Sequence, residues 1–148
     1  MKFSKKSRYG VAALIDLAVN SKNGHVALGS IAERNEISPQ YLEQVFASLR
    51  RAGIVKSVKG SQGGYLLKYP SSSITVASII QALEGTYYLD DEETKTEESA
   101  AGIAETIQED IVDRVNHGLD QILQNLTLAD LEENFQERQS GGQEMYYI

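Results

Sequence analysis

The chain contains no cysteine and only two histidines in 148 residues. The missing cysteines exclude disulfides, thiolate metal sites, cysteine-ligated iron–sulfur clusters and a thiol nucleophile. His25 has no carboxylate or second histidine at ligand spacing and reads as a loop residue, while His117 reads as a surface position on a helix. A Gly-rich phosphate loop between a strand and a helix is also lacking, because the GSQGG stretch stands between two strand-like runs. No nucleophile, base or metal constellation remains. The expectation is a protein that is not an enzyme, with no catalytic residue, metal site or cofactor.

No apolar run approaches the roughly 20 residues of a membrane span. MKFSKKSRYG is a polar, basic helix start rather than a signal peptide with an apolar centre. Cytoplasm is the expected location. The length suits one compact domain, or one small domain with an added helical arm.

Charge is divided along the chain. Residues 1–70 hold 11 Lys and Arg against 4 Asp and Glu, a balance of +7, whereas residues 71–148 hold 3 against 17, a balance of −14. A basic half beside an acidic half is compatible with binding a polyanion through the first half only.

The stretch ISPQYLEQVFASLRRAGIVKSVKGSQGGYLL, residues 37–67, carries the most local information. Ser38 is a helix cap and Pro39 has no N–H to leave unsatisfied at the first helical position. Leu42, Val45, Phe46 and Leu49 fall at the spacings of one apolar face, and Gly53 is a natural stop. Gln40, Tyr41, Glu43, Gln44, Ala47, Arg50 and Arg51 are left outward, a mixture suited to base edges and phosphates. Ile54 to Val58 and Tyr65 to Leu67 favour strands around a turn-rich GSQGG, which predicts a β-hairpin with a loop longer than a tight turn needs. Before this stretch, LGSIAERN (28–35) predicts a short helix with Ser30 as a candidate cap and Ile31 and Ala32 inward. Short helix, tight turn and capped longer helix form the helix-turn-helix pattern. The first helix starts with Lys2, Lys5, Lys6 and Arg8, cations that oppose the helix dipole unless something favours them there, and phosphate is one candidate.

After a Pro-Ser-Ser-Ser loop, Thr75 is a candidate cap for a helix over 76–84 that ends at Gly85. Residues 86–99 read as an acidic, flexible loop whose carboxylates lack the spacing and the glycine of a calcium loop. Residues 100–126 then predict a long helix with a seam of Ile103, Ile107, Ile111, Val115, Leu119, Ile122 and Leu126. A helix of about 40 Å outreaches so small a domain and needs a partner surface, either a second copy or its own domain folded back on it. Thr127, with Asp130 three residues on, caps a last helix expected to fade near Gln139. Ser140, Gly141 and Gly142 read as a flexible joint before a terminal tail, which either packs on its own dimer or docks on a partner. The expected organisation is therefore a winged helix-turn-helix domain over 1–85, the acidic loop over 86–99, the dimerisation helix and a short helix over 100–139, and a tail over 140–148. The fold class is mainly α with a small β-hairpin wing.

In SKKSRYGVAALIDLA, in the 37–67 stretch and in ITVASIIQALEG, the chain resembles the Rrf2-type family of bacterial winged helix-turn-helix regulators, over roughly its first 85 residues. The resemblance implies a dimeric repressor of palindromic operators, with the long helix forming the homodimer, the second helix of the motif in the major groove and the wing at the minor groove. It places DNA contacts at Ser38, Gln40, Tyr41, Glu43, Gln44, Arg50, Lys59, Gly60, Ser61, Gln62 and Gly63, beside Lys5 and Arg8 at the first helix. Glu43 suits a cytosine amino group, Gln40 and Gln44 suit adenine, and Arg50 and Lys59 suit phosphate or the minor groove. Tyr41 has a second reading, packing against the wing, and Arg50 another, pairing with an acidic neighbour.

Several members of the family hold an iron–sulfur cluster through cysteines in the interval that is here the acidic loop; a cluster of that kind is excluded. NLTLADL and the Tyr-Ile ending are similar to a cluster-free branch that regulates cysteine metabolism together with cysteine synthase (O-acetylserine thiol-lyase). That enzyme accepts the C-terminal Ile carboxylate of serine acetyltransferase. The resemblance thus implies Tyr146, Tyr147 and Ile148 as a partner-binding tail. The alternative is a winged-helix protein–protein module that does not bind DNA, whose operator affinity would be absent or insensitive to salt.

Overall fold

The computed structural model describes residues 3–90 and 100–146. Helix α1 spans Lys5–Asn20 and is capped by Ser4, whose hydroxyl accepts from the Ser7 N–H at 3.4 Å. Its buried face is Gly10, Ala13, Leu14, Leu17 and Ala18. Gly10 allows a close approach: a Cβ there would meet the tip of the Leu83 side chain and displace it. Helix α2 spans Leu28–Asn35 and starts after Ala27 without a side-chain cap, so Ser30 lies inside its first turn and is not the cap. The helix instead gains its first bonds from the Ala27 carbonyl, which accepts from Ser30 and Ile31. Glu36 adopts the left-handed conformation (φ 54°) and closes α2.

Helix α3 spans Pro39–Arg51 with Ser38 as cap, its hydroxyl accepting from the Tyr41 N–H at 3.1 Å. Strands β1 (Val55–Val58) and β2 (Gly64–Leu67) pair antiparallel, with Val55 opposite Leu67 and Val58 opposite Gly64. Val26 bridges to β2 from outside the hairpin through two backbone bonds to Tyr65, at 3.0 and 2.9 Å. After a 3-10 turn at Ser71–Ser73, α4 spans Val76–Glu84, capped by Thr75 and closed by Gly85 at φ 85°.

One core joins α1, α2, α3, α4, the hairpin and Leu128; Leu14, Ile31, Leu42, Phe46 and Ile79 are fully buried in it. Each such burial contributes about 1.5–3 kcal/mol. Helix α4 is apolar on two sides. Ile79 and Leu83 face this core, while Val76, Ala77 and Ile80 face a second cluster with Tyr87, Leu119, Leu123, Leu126 and Leu131.

The second half of the chain departs from a plain long helix. α5 (Ala101–Ile107), a π-helical segment (Gln108–Asp113) and α6 (Arg114–Leu123) follow without a break. A row with four-residue steps overshoots a turn of about 3.6 residues. The i→i+5 bonding of a π segment puts more residues in a turn and takes up the overshoot. α7 spans Leu128–Tyr146. It begins with a reciprocal cap, the Asp130 N–H donating to Thr127 Oγ1 (3.2 Å) and the Thr127 N–H to Asp130 Oδ2 (3.0 Å). It does not fade near Gln139, and the expected joint at Ser140–Gly142 is helical. Each glycine costs only about 1 kcal/mol, and the Gln, Glu, Arg and Met around the pair favour continuation. The starts of α4 and α7 are tied by two bonds of 2.8 Å, Val76 N–H to the Leu126 carbonyl and Leu128 N–H to the Ile74 carbonyl.

Residues 91–99, most of the expected acidic loop, lie outside the described residues. Thr86–Asp90 is docked on α6: the Tyr88 hydroxyl donates to Asp120 at 2.7 Å, Tyr87 also reaches Asp120, and the Leu89 N–H donates to Asn116 Oδ1 at 2.8 Å. These hydroxyl donors hold the Asp120 carboxyl below the usual carboxylate range.

Candidate nucleic-acid interface

Helix α3 is divided cleanly by its own periodicity. Leu42, Val45, Phe46 and Leu49 are fully buried, and Gln40, Glu43, Gln44 and Arg50 are exposed on the opposite sides. Burial of the first set fixes the azimuth of the second. Tyr41 is half-buried and meets Tyr9 of α1 edge-on, with ring centroids 5.7 Å apart and an 85° angle. It packs on α1, not on the wing, because the hairpin stands at the far end of α3. Arg50 has no ion pair among the described residues; the pairs there are Lys22–Glu132 and Arg34–Asp16.

The wing is anchored to α3 by Phe46 against Tyr65, centroids 4.6 Å apart. Its tip, Lys59–Gly63, is shaped by backbone. Gly60 has φ 119°, and a Cβ on Gly63 would collide with the Val58 carbonyl oxygen. His25 bonds through Nε2 to the Gln62 carbonyl, bracing the tip from the α1–α2 loop. Between α3 and the wing lies an open groove of about 560 Å³. Glu43 and Arg50 line one side, and Lys59, Gly60, Ser61 and Gly63 the other. Six of the sequence-predicted contact residues are thus brought to one groove. Ser38, Gln40 and Gln44 lie along the exposed part of α3 outside its lining, and Gln62 contributes its carbonyl to His25.

The basic start of α1 has an internal explanation. Lys5 and Arg8 are exposed, with the Arg8 guanidinium 5.2 Å from the Phe3 ring centroid. Beside them the Glu84 carboxylate accepts from both Ser4 and Ser7 hydroxyls, the latter at 2.7 Å. These hydrogen bonds, with Lys6 nearby, hold Glu84 below the usual carboxylate range. A negative charge from α4 therefore sits at the positive end of the α1 dipole, where it offsets the cations.

Sequence reasoning missed His25, Tyr9 and Ser57 around this face, and placed Ala47 on the outward side of α3 without a role. Ser57 and Ala47 line the groove as small residues. The signal for Tyr9 was an aromatic placed one turn after the basic start. His25 gave none, since its partner is 37 residues away.

The predicted seam on the arm divides. Ile103 (67% exposed), Ile107, Ile111, Val115 and Ile122 stand open to solvent in the single chain. Leu119 and Leu126 do not belong with them; both are half-buried in the second cluster against α4. Along α6, Val115 and Ile122 are two turns apart and fall within about 20° of each other, whereas Leu119 is rotated about 40° to one side. The Tyr146 backbone closes α7; Tyr147 and Ile148 lie outside the described residues.

Helix-turn-helix, hairpin wing and a groove edged with Arg and Lys together define a winged helix-turn-helix regulator. Residues 3–134 match the family described as "Rrf2: Iron-dependent Transcriptional regulator". The chain belongs to this Rrf2 family of DNA-binding transcriptional regulators. It is 38% identical over 138 residues to the HTH-type transcriptional regulator IscR of Yersinia enterocolitica, covering 90% of this chain and 80% of the relative. Among solved structures it is similar to CymR, the global cysteine regulator of B. subtilis (TM-score 0.76, 36% identity, 90% of this chain and 98% of that one). It is also similar to T. potens IscR (TM-score 0.71, 40% identity, 94% and 91%). Iron held by cysteine, as the family description would suggest, does not fit this chain. It has no cysteine, and among the described residues no group of three or more His, Asp or Glu could hold a metal. No helix among the described residues is long and apolar enough to cross a membrane.

Proposed function

We propose that the chain is a homodimeric repressor that reads a palindromic operator with α3 in the major groove and the wing at the minor groove. The observation that carries this reading is the convergence of Glu43, Arg50, Lys59 and Ser61 on one open groove of the basic half. Glu43 reads a base edge, most simply a cytosine amino group, with Gln40 and Gln44 toward adenine. Arg50, Lys59, Lys5 and Arg8 neutralise phosphates. The exposed row Ile103, Ile107, Ile111, Val115 and Ile122 joins two copies, and Leu119 supports the arm from behind. Selection of bound fragments from random DNA is expected to return an inverted repeat, with affinity that falls steeply as salt rises. An affinity indifferent to salt would favour a protein–protein module instead.

The finer reading is control of cysteine metabolism with cysteine synthase as partner. The likeness to a structure named a cysteine regulator supports it, as do NLTLADL and the Tyr-Ile ending. In a pull-down, removal of Tyr147 and Ile148 is expected to abolish synthase capture; intact capture removes the tail from the proposal.

A further inference from the structure

The geometry points to a second site: the cavity between α1, α2 and α7 binds a small organic carboxylate with an apolar body, and its occupancy sets operator affinity. The regulatory half of this inference rests on the DNA-binding reading above. The cavity measures about 600 Å³, within the usual range for small-molecule sites, and shares no lining residue with the DNA-facing groove. It has two ends. Ile15, Val19 and Phe135 form an apolar wall. Phe135 is 36% exposed, a large ring left open on a stretch of α7 whose neighbours from Glu133 to Gln139 are otherwise polar.

The polar end selects the charge of the ligand. The Asp16 side chain is 9% exposed. It accepts from Arg34 Nε (2.9 Å), Arg34 Nη2 (2.7 Å), Asn35 Nδ2 (3.0 Å) and Asn20 Nδ2 (3.3 Å). A carboxylate offers about four lone-pair sites, so Asp16 is saturated and has nothing left for a ligand cation. Arg34 is in the opposite condition. Of about five N–H donors, Asp16 engages two, and the side chain is 43% exposed at the cavity. A guanidinium whose orientation is fixed by a buried carboxylate is a preorganised donor for a second planar oxyanion. The anion therefore meets Arg34, and the apolar body lies along Ile15, Val19 and Phe135.

The position gives the site its leverage. Arg34 and Asn35 end α2, immediately before the left-handed Glu36 and the Ser38 cap of α3. Phe135 belongs to α7, whose start is bonded to the start of α4. A ligand spanning the cavity ties the helix-turn-helix to the C-terminal helices, and so fixes the angle at which α3 is presented.

Titration calorimetry on the full chain without DNA tests the site, with 4-methylpentanoate, 3-phenylpropanoate and their neutral amides as probes. At least one acid is expected to bind at millimolar concentration or tighter, with its amide at least about tenfold weaker. Arg34→Gln is expected to remove that preference. Because it leaves Asp16 short of donors and could unfold this corner, two further variants stand beside it. Arg34→Lys keeps the charge but loses the fork, and is expected to bind the acid about tenfold weaker. Phe135→Ser, on an open face, is expected to weaken the acid about threefold or more with an unchanged circular dichroism spectrum. Equal affinity for acid and amide, an unchanged preference in the Arg34 variants, or no binding by either acid overturns the site. With the selected operator, saturating acid is expected to shift Kd by about threefold or more; an unchanged Kd overturns the regulatory half. A chain that binds the acid but no DNA sequence retains the site and removes the DNA-binding reading instead.

Discussion

Ile31 in α2 and Ile111 in the arm are the same side chain in opposite surroundings, the first completely buried and the second 54% exposed. The contrast extends to their neighbourhoods. Residues 3–85, with Leu128, close a core in which Leu14, Leu42 and Phe46 have no exposure, whereas residues 108–123 contain no buried residue. Both regions are written in aliphatic residues at helical spacing, so spacing does not separate them. What separates them is whether a second surface within the chain faces the row. An apolar row this open is uncommon on a protein that remains a monomer. The first core is closed by the chain's own residues, Leu128 included, whereas the row on the arm is left open among the described residues.

Breaking the arm should have the largest effect. Ile111→Asp is expected to give monomers in sedimentation and to lower operator affinity by about 100-fold or more, because two half-sites are no longer held together. A persistent dimer would place the seam elsewhere. Breaking the head comes next: Phe46→Ala is expected to cost about 3–5 kcal/mol in urea unfolding, as it empties the centre of the core and frees the Tyr65 wing anchor. A loss below 1 kcal/mol would mean that the wing collapses into the space.

Two substitutions at the groove sharpen the division of labour within the head. Glu43→Ala is expected to cost about 1–3 kcal/mol in operator binding and to relax preference at one position in each half-site. Lys59→Ala is expected to weaken all sequences alike and to reduce the salt slope by about one. Uniform weakening by both would abolish the distinction. The smallest effect is one of pH. Glu84 has its folded-state pKa lowered from 4.5 by the Ser4 and Ser7 hydroxyls. Its contribution is therefore fully present above about pH 4.5 and lost as pH falls through the lower folded value. The stability difference between the native chain and Glu84→Gln should shrink with acid across that window; a difference that is flat with pH would show that the charge plays no part.

The reading head was largely legible because its determinants are local. Ser38, Thr75 and Thr127 sit directly before the helices they cap, Gly85 directly after α4 and Gly53 one residue past the Ala52 that ends α3, and the core face of α3 repeats within thirteen residues. Of the candidate interface, the outward residues of α3 and the Gly-rich tip could be read, since burial of one face determines the other. Contacts between distant positions could not. Ser4 and Glu84 are 80 residues apart, and Tyr88 and Asp120 are 32 apart, with no local pattern to announce either. Leu119 falls in the seam by its four-residue step, a rhythm that looks continuous in one dimension while it winds around a helix in three. The π-helical segment escaped for a related reason: no residue type specifies it, only a mismatch accumulated over several turns. Glycine alone suggests a joint at Ser140–Gly142, although two glycines weaken a helix by less than a run of good helix formers sustains.

The paired bonds between Ile74–Val76 and Leu126–Leu128 have a topological consequence. They close the chain on itself, so the stretch from Val76 to Leu126, α4 through α6, leaves and returns at one clasp. The entropy of closing such a loop grows only with the logarithm of its length, about 0.6 kcal/mol for each doubling. Residues can therefore be inserted or removed in the interval after α4 with little penalty to the fold on either side. An excursion pinned in this way lets the segment after α4 be exchanged for one of another length and chemistry while the DNA-reading scaffold stays in register.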